Sequence, residues 1–351
     1  MRDLGIYFGT FAPCHVGHFE QIIRAKRENR HALVIVSGYD GDRGDEYGMN
    51  LEHRVKAMRQ LLKDDNNVTV VKLDETNIPR YPDGWIPWLQ MLTSSVSSSV
   101  ASLPREIKSI TYYVGETEYI EPLETFFNDE WPEVDTKVTL VDRQELKISG
   151  TNIRKDALLN WDYVTRPFRR FFVQNVLVIG PPNAGKSSLV KDLARRYSTS
   201  HSIEYRKEYF EKHQIEDSLN AKDFHAIGIG QFELNRQNIH SPATRKAFFA
   251  DTDVMTTKVH TKSYDGTDDF RKLYDVFDYY IRLQNWSLIL LMPLKKDAPD
   301  KDQQIYKALE KEITFQNLDD ITHKLDGRSY RDIYQEAHSL VDNILKDGKD
   351  N

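Results

Sequence analysis

The fold of the second half of the chain is decided by Val176-Leu177-Val178-Ile179-Gly180-Pro181-Pro182-Asn183-Ala184-Gly185-Lys186-Ser187. An apolar run typical of a buried strand leads into the phosphate-binding pattern G-x-x-x-x-G-K-[ST], and a helix is predicted over Ser187–Tyr197. In such a loop, backbone N–H groups and the helix N-terminus surround phosphate oxygens, the lysine reaches the β and γ phosphates, and the hydroxyl ligates Mg²⁺. The alternative is a glycine-rich turn that binds nothing. The residues expected to bind ATP are Gly180, Asn183, Ala184, Gly185, Lys186, Ser187 and Ser188, with Lys186 catalytic and Ser187 a metal ligand.

A second apolar run supplies the acid that such a loop needs to hold Mg²⁺ or to accept a proton. Phe248-Phe249-Ala250 is followed by Asp251-Thr252-Asp253. We expect Asp251 to be catalytic and to ligate the metal, with Asp253 as the reserve candidate. Read blandly, the same residues form an ordinary turn at the end of a strand.

The first half of the chain alternates apolar runs with segments of helical spacing, which is typical of a parallel sheet wrapped by helices. Ligands of such sheets bind at the carboxyl ends of the strands. The serine-rich stretch Thr93–Ser102 is interpreted as a loop or a weak helix. The predicted strands are Leu4–Phe8, Ala32–Ser37, Val68–Leu73, Ile110–Val114 and Val138–Val141, and the predicted helices are His18–Asn29, Leu51–Lys63 and Trp85–Leu92.

A basic and aromatic stretch, Arg166–Phe172, interrupts this alternation before the second series of strands begins. We therefore place the boundary near residue 170 and expect two domains, 1–170 and 171–351. Further strands of the second domain are predicted at Ala247–Ala250 and Leu288–Leu291.

The residues after the first predicted strand suggest a second phosphate site. His15 and His18 flank the start of a helix, and Gly17 between them permits close approach. Two imidazoles at a helix N-terminus can hold a triphosphate and stabilise charge at its α-phosphorus. After the last strand of this half, Ser149 or Thr151 can cap a helix from which Arg154 reaches phosphate oxygens. The alternatives are a metal site, two surface histidines, and a capped helix with an exposed arginine.

Composition narrows the class of protein. Of 351 residues, 39% are hydrophobic and 29% charged, as in globular domains, and the net charge of −6 disfavours DNA as the main partner. Cys14 is the only cysteine, so no disulfide forms within the chain, which fits a reducing cytoplasm. We expect no signal peptide and no membrane span, because the longest apolar stretch, near Ser287–Leu294, is too short. The oligomeric state stays open, a homo-oligomer included.

The two motifs of the first half, H-x-G-H and I-S-x-T-x-x-R, together resemble the nucleotidyltransferase superfamily. The whole chain resembles the NadR family of bifunctional nicotinamide mononucleotide adenylyltransferases and ribosylnicotinamide kinases, supported by Tyr81–Trp88, Phe168–Val173 and Asp251–Thr257. The resemblance implies an α/β chain with a Rossmann-like nucleotidyltransferase domain followed by a P-loop kinase domain, both with parallel sheets.

The resemblance also implies the chemistry. The kinase phosphorylates nicotinamide riboside, and the transferase joins nicotinamide mononucleotide to ATP, giving NAD and pyrophosphate, with Mg²⁺ as cofactor and ATP as co-substrate. His15 and His18 would be catalytic. Trp85 and Trp88 would stack on the cationic nicotinamide, although both can equally be core residues. ATP of the transferase would contact Gly9, Thr10, Phe11, His15, His18, Gly115, Thr151 and Arg154, and the substrates would contact Trp85, Trp88, Glu204 and Tyr264.

The chain departs from the family pattern in three places. The first strand begins within the first few residues, so we expect no helix-turn-helix repressor domain before it. Lys207 stands where the family pattern W-E-Y-x-R has arginine, and Pro293–Gln304 contains neither the tryptophan nor the arginine of the family's lid. Two other functions stay open: a transferase and kinase of changed substrates, and a nucleotide sensor without turnover.

Overall fold

The computed structural model describes residues 1–80, 82–141, 148–214, 219–262 and 268–346. The chain divides into two compact units, Met1–Phe172 and Val173–Asn351. Within the described residues, each unit contains a parallel sheet of five strands with helices packed around it. The predicted fold class, α/β with two parallel sheets, is confirmed. No helix in these ranges is long and apolar enough to cross a membrane.

The sheet of the first unit has the strand order β3-β2-β1-β4-β5, and all its strands are parallel. Strand β1 lies in the centre, with β2 and β3 on one side of it and β4 and β5 on the other. The strand order therefore reverses at β1, and a crevice opens beyond the carboxyl end of this strand. The strands are β1 (Arg2–Gly9), β2 (Asn29–Gly38), β3 (Val68–Asp74), β4 (Ser109–Val114) and β5 (Asp135–Leu140). The helices are α1 (Val16–Glu28), α2 (Leu51–Leu61), α3 (Trp85–Ala101), α4 (Ile120–Glu130), α5 (Gly150–Lys155) and α6 (Arg166–Arg169).

The serine-rich stretch belongs to helix α3, which continues well beyond the predicted end at Leu92. Leu89, Leu92 and Val96 lie on one face and are buried in the core beneath the sheet. The serine hydroxyls that would otherwise compete for backbone hydrogen bonds are satisfied within the helix, as Ser94 and Ser99 donate to carbonyls four residues earlier. Burial of one apolar face therefore outweighs the weak helix propensity of serine.

The sheet of the second unit has the order β10-β9-β6-β8-β7, again with parallel pairing. Its central strand β6 pairs with β8 and β9, and the carboxyl end of β6 leads directly into the glycine-rich loop. The strands are β6 (Gln174–Ile179), β7 (His201–Ser202), β8 (Ala247–Asp251), β9 (Leu288–Leu291) and β10 (Thr322–Lys324). The helices are α7 (Lys186–Arg196), α8 (Tyr205–His213), α9 (Ala221–Ile239), α10 (Val254–Thr261), α11 (Asp268–Leu283), α12 (Asp300–Phe315) and α13 (Tyr330–Lys346).

A buried ion cluster joins three helices of the second unit. Lys258 on α10 donates to Asp278 on α11 at 2.5 Å and to Glu312 on α12 at 2.6 Å, and Lys262 reaches Glu312 at 2.8 Å. Burial alone would raise the pKa of Glu312, but the hydrogen bonds from Lys258, Lys262 and Gln316 outweigh it and hold that pKa below its ordinary value. The cluster fixes α12 to α10 and α11, because removing one partner would leave a buried charge uncompensated.

Candidate active sites

The loop from β1 to α1 brings the two histidines of the first unit together. The helix begins at Val16, two residues before the predicted start, so His15 is its cap and His18 lies in its first turn. The imidazole rings stack with centroids 3.7 Å apart, and the backbone N–H of His15 donates to His18 Nδ1 at 3.5 Å. A side chain at Gly17 would place its Cβ 3.2 Å from the ring of His15, so the glycine leaves room for the stacked pair.

The loop from β1 to α1, which contains His15 and is called the histidine loop below, is held in place by residues much later in the chain. Thr165 donates to the carbonyl of Cys14 from its hydroxyl at 2.8 Å and from its backbone N–H at 3.1 Å. Beside it, His15 and Val164 form an isolated antiparallel bridge. The position of the stacked pair therefore depends on the segment after the last strand of the unit as well as on the local motif.

The I-S-x-T-x-x-R motif meets the same loop. Ser149, and not Thr151, caps α5, accepting from the backbone N–H of Asn152 at 3.1 Å. The guanidinium of Arg154 donates to the carbonyl of Ala12 at 2.5 Å and to the hydroxyl of Thr151 at 3.1 Å. Burial and the nearby charge of Arg43 lower the pKa of Arg154. Positive charge and helix N-termini thus converge beyond the carboxyl end of β1, where an anion is favoured.

A cleft of about 760 Å³ opens at this edge of the sheet. Every residue that the resemblance assigns to the first site lies along it. These are Gly9, Thr10, Phe11, His15, His18, Trp85, Trp88, Gly115, Thr151 and Arg154.

One end of the cleft is aromatic. The rings of Trp85 and Trp88 stack with centroids 5.4 Å apart, and Tyr119 packs against both. The two tryptophans also pack against the hydrophobic core, so they are at once core residues and cleft residues. The indole N–H of Trp88 donates to Glu75 at 3.0 Å, and burial raises the pKa of that carboxyl.

In the second unit, the glycine-rich loop follows β6 and ends at the cap of α7. Gly185, the cap, has a φ of 92°, a left-handed conformation that favours glycine. Lys186 donates to the carbonyls of Gly180 and Pro181 at 3.1 Å and 2.9 Å, and burial lowers its pKa. Gly180, Asn183 and Ala184 lie in the loop, and Ser187 and Ser188 in the first turn of α7.

The carboxylate of Asp251 lies beside this loop, because β8 pairs with β6 so that Val178 stands opposite Asp251. The hydroxyl of Ser187 donates to Asp251 Oδ2, and burial raises the pKa of the carboxyl. Asp251 Oδ1 is buried and has no hydrogen-bond partner among the described residues. A hydroxyl and a carboxylate with an unused oxygen fit Mg²⁺. Asp253, the reserve candidate, instead caps α10 and accepts from the N–H of Thr256 at 3.1 Å.

Comparison with known proteins covers both units. A Cytidylyltransferase-like family model matches residues 6–156, and an AAA domain model matches residues 175–330. The "Trifunctional NAD biosynthesis/regulator protein NadR" of Salmonella typhimurium (strain LT2) is 27% identical over 352 residues, covering 94% of this chain and 82% of that protein.

Two solved structures match the chain from end to end. A crystal structure of NadR protein in complex with NR has a TM-score of 0.87 at 32% identity, covering 98% of this chain and 96% of that one. A second, of NadR protein in complex with NAD and AMP-PNP, has a TM-score of 0.86 at 33% identity with the same coverage. The chain belongs to the NadR family. The family resemblance read from the sequence is thereby confirmed.

Two of the departures from the NadR pattern concern the second unit, which contains the glycine-rich loop. Lys207 pairs with Glu204 at 3.2 Å and donates to the hydroxyl of Ser187 at 3.5 Å, so it faces the loop although it replaces an arginine. The segment Pro293–Gln304, which lacks the tryptophan and arginine of the family's lid, is partly helical, because α12 begins at Asp300. Tyr264, a predicted substrate contact, lies outside the described residues.

Sequence reasoning missed one residue of this site in the NadR kinase half. His260 on α10 is largely buried, and burial together with the charge of Arg206 lowers its pKa to about 4, with Glu204, Lys186 and Lys301 also close enough to act on it. Its position, seven residues after the cap of α10 at Asp253, carries no motif. A single histidine in a helix does not indicate a functional site in the sequence. Only the fold shows that His260 lies near Lys186 of the glycine-rich loop.

Proposed function

We propose that this chain makes NAD⁺ in two steps, phosphorylating nicotinamide riboside in the second unit and adenylylating the resulting mononucleotide in the first. The observation that supports this best is the cleft of the first unit. It joins a stacked histidine pair, Arg154 and two stacked tryptophans in one space of about 760 Å³. Relatives matched over 96% of their solved chains were crystallised with NR, and with NAD and AMP-PNP, a non-hydrolysable ATP analogue.

In the second unit, the loop amides and Lys186 bind the β and γ phosphates of ATP, and the 5′-hydroxyl of the riboside attacks the γ-phosphorus. Lys186, now bonded to its own loop carbonyls, turns to the phosphates when they enter. Mg²⁺, held by Ser187 and Asp251, would offset the charge that develops on the phosphoryl oxygens. Asp251 also stands where it can accept the proton of the attacking hydroxyl. The products are ADP and nicotinamide mononucleotide.

In the first unit, the phosphate of the mononucleotide attacks the α-phosphorus of a second ATP, and pyrophosphate leaves. The nucleophile is already an anion, so no general base and no covalent intermediate are required. His15, His18 and the N-terminus of α1 stabilise the charge at the α-phosphorus, while Arg154 and Thr151 hold the β and γ phosphates. The faces of Trp85 and Trp88 bind the cationic pyridine ring. Positioning and electrostatics therefore supply most of the rate.

The test is product identification by mass after incubation of the purified protein with ATP and Mg²⁺. With nicotinamide riboside we expect nicotinamide mononucleotide, ADP and then NAD⁺, and with nicotinamide mononucleotide we expect NAD⁺ and pyrophosphate. Absence of NAD⁺ in the second reaction would refute the proposed transferase.

Because Cys14 is the only cysteine and is buried, we further propose a reducing, cytoplasmic location.

A further inference from the structure

Glu75 occupies a fixed position at the aromatic end of the first cleft. It follows the last residue of β3, and its backbone N–H donates to the carbonyl of Gly38 at 2.8 Å, which extends the pairing of β2 and β3 by one residue. Its carboxylate accepts the indole N–H of Trp88 at 3.0 Å and a hydrogen bond from the side chain of Ser37, and it lines the cleft. The backbone and the carboxylate are thus both anchored, and a carboxylate with about four lone-pair sites keeps acceptor capacity beyond these two hydrogen bonds.

The charge of Glu75 is not cancelled by a direct partner. Within the described ranges, no ion pair includes Glu75. Asp42, a nearby carboxylate that also lines the cleft, is neutralised by Arg54, which is fully buried and donates to both of its oxygens at 2.7 Å and 2.5 Å. Arg80 acts on Glu75 from a distance, and its guanidinium is stacked 3.2 Å above the ring of Tyr39. Glu75 is therefore a carboxylate beside the stacked tryptophans whose charge is not neutralised by an ion pair among the described residues.

We propose that Glu75 makes the first unit select a pyridine base that carries a carboxamide and reject one that carries a carboxylate. This inference rests on the proposed function, which places the pyridine ring against Trp85 and Trp88. The two mononucleotides share the phosphate, the ribose and the cationic ring, so only the ring substituent distinguishes them. A carboxamide donates N–H to Glu75, whereas a carboxylate meets a like charge at a site partly withdrawn from water, where such repulsion is strong.

The test compares kcat/KM for nicotinamide mononucleotide and for nicotinic acid mononucleotide, each with ATP and Mg²⁺, in the wild type and in Glu75→Gln. Glutamine still accepts from Trp88 and offers an N–H₂ group to a carboxylate. We expect the wild type to prefer the carboxamide and the variant to lose about tenfold or more of that preference, mainly by gaining the acid substrate. Glu20→Gln is the matched control, because Glu20 is exposed on α1 and lines the same cleft. It should keep the wild-type preference.

Three outcomes would overturn the inference while the proposed function stands: an unchanged preference in Glu75→Gln, an equal loss of preference in Glu20→Gln, or a wild type that uses both mononucleotides equally well. If the wild type makes no dinucleotide from either substrate, the proposed function itself fails. Far-UV circular dichroism and the melting temperature of the variant, compared with the wild type, report on folding. If Glu75→Gln folds but does not turn over, dissociation constants of the two mononucleotides give the same comparison by calorimetry, and an unchanged ratio would overturn the inference.

Discussion

The two units solve the problem of holding a triphosphate in different ways. In the second unit, the site is a contiguous loop between β6 and α7, and Lys186 is satisfied by carbonyls of that loop five and six residues away. In the first unit, Arg154 bonds the carbonyl of Ala12 across 142 positions of sequence, and Thr165 bonds that of Cys14 across 151. A contiguous site is determined mainly by its own sequence. A distributed site exists only when the sheet has formed around it.

The largest expected effect separates the two sites. Lys186→Ala removes the one side-chain cation of the phosphate loop, so riboside phosphorylation should fall about a thousandfold or more. NAD⁺ synthesis from nicotinamide mononucleotide should stay within about twofold, because the two motifs belong to separate sheets and share no hydrogen-bond partner among the described residues. The two rates are measured on the same purified preparation. An equal loss of both in a folded variant would mean one composite site.

The reciprocal variant, His18→Ala, removes one ring of the stacked pair. NAD⁺ synthesis should slow about a hundredfold or more, as expected for a lost transition-state donor, while phosphorylation of the riboside is retained. His53→Ala, at an exposed histidine on α2 of the same unit, serves as the control and should change either rate only a few fold. A His18→Ala enzyme as fast as the control would exclude the histidine from the reaction.

Thr165 tests whether the site of the first unit depends on contacts that are distant in sequence. Thr165→Val deletes the hydroxyl that bonds the carbonyl of Cys14, leaving that anchor of the histidine loop to the backbone alone. We expect NAD⁺ synthesis to fall about tenfold, because small misplacements of catalytic groups are costly. Thr165→Ser, which keeps the hydroxyl, should restore most of the rate. If Val and Ser behave alike, the hydroxyl does not position the loop.

The smallest effect concerns the segment between β9 and α12. Lys295 and Lys296 are exposed there, and lysine supplies charge without the bidentate fork of the missing arginine. Lys295→Ala/Lys296→Ala should lower kcat/KM of the kinase for ATP about threefold to tenfold. Lys307→Ala, an exposed lysine on α12, is the matched control. An unchanged ATP dependence and rate in the double variant would exclude a phosphate clamp.

The same segment lacks the lid tryptophan of the family, which would remove one stacking face, commonly worth about 0.5–2 kcal/mol. The Michaelis constant for nicotinamide riboside should therefore exceed that of relatives that keep the tryptophan. Activity on another nucleoside together with complete failure on the riboside would show that this half has changed substrate.

The contrast between contiguous and distributed sites also explains what the sequence could predict. The strand, loop and helix around Lys186 follow from local spacing, and the partnership of Asp251 with Ser187 follows from strand order. The sequence could not show that Thr165 anchors the histidine loop, that Glu75 bonds Trp88, or that Asp253 caps a helix. These contacts join residues whose neighbours in sequence carry no pattern, so they become visible only in three dimensions. The serine-rich part of α3 was similarly decided by burial against the core.

The ion cluster of Lys258, Asp278 and Glu312 has a mechanical consequence. Glu312 and Lys258 are almost fully buried, and breaking such a pair costs about 3–5 kcal/mol of folding stability. Helix α12 is therefore held rigidly against α10. On the other side, Met292 donates its backbone N–H to the carbonyl of Ile179 at 2.8 Å and is tied to the sheet. The segment between Met292 and Asp300 is therefore held by its two flanking elements, the sheet on one side and α12 on the other. Because so few residues separate the two fixed ends, this segment can be displaced only over a short distance.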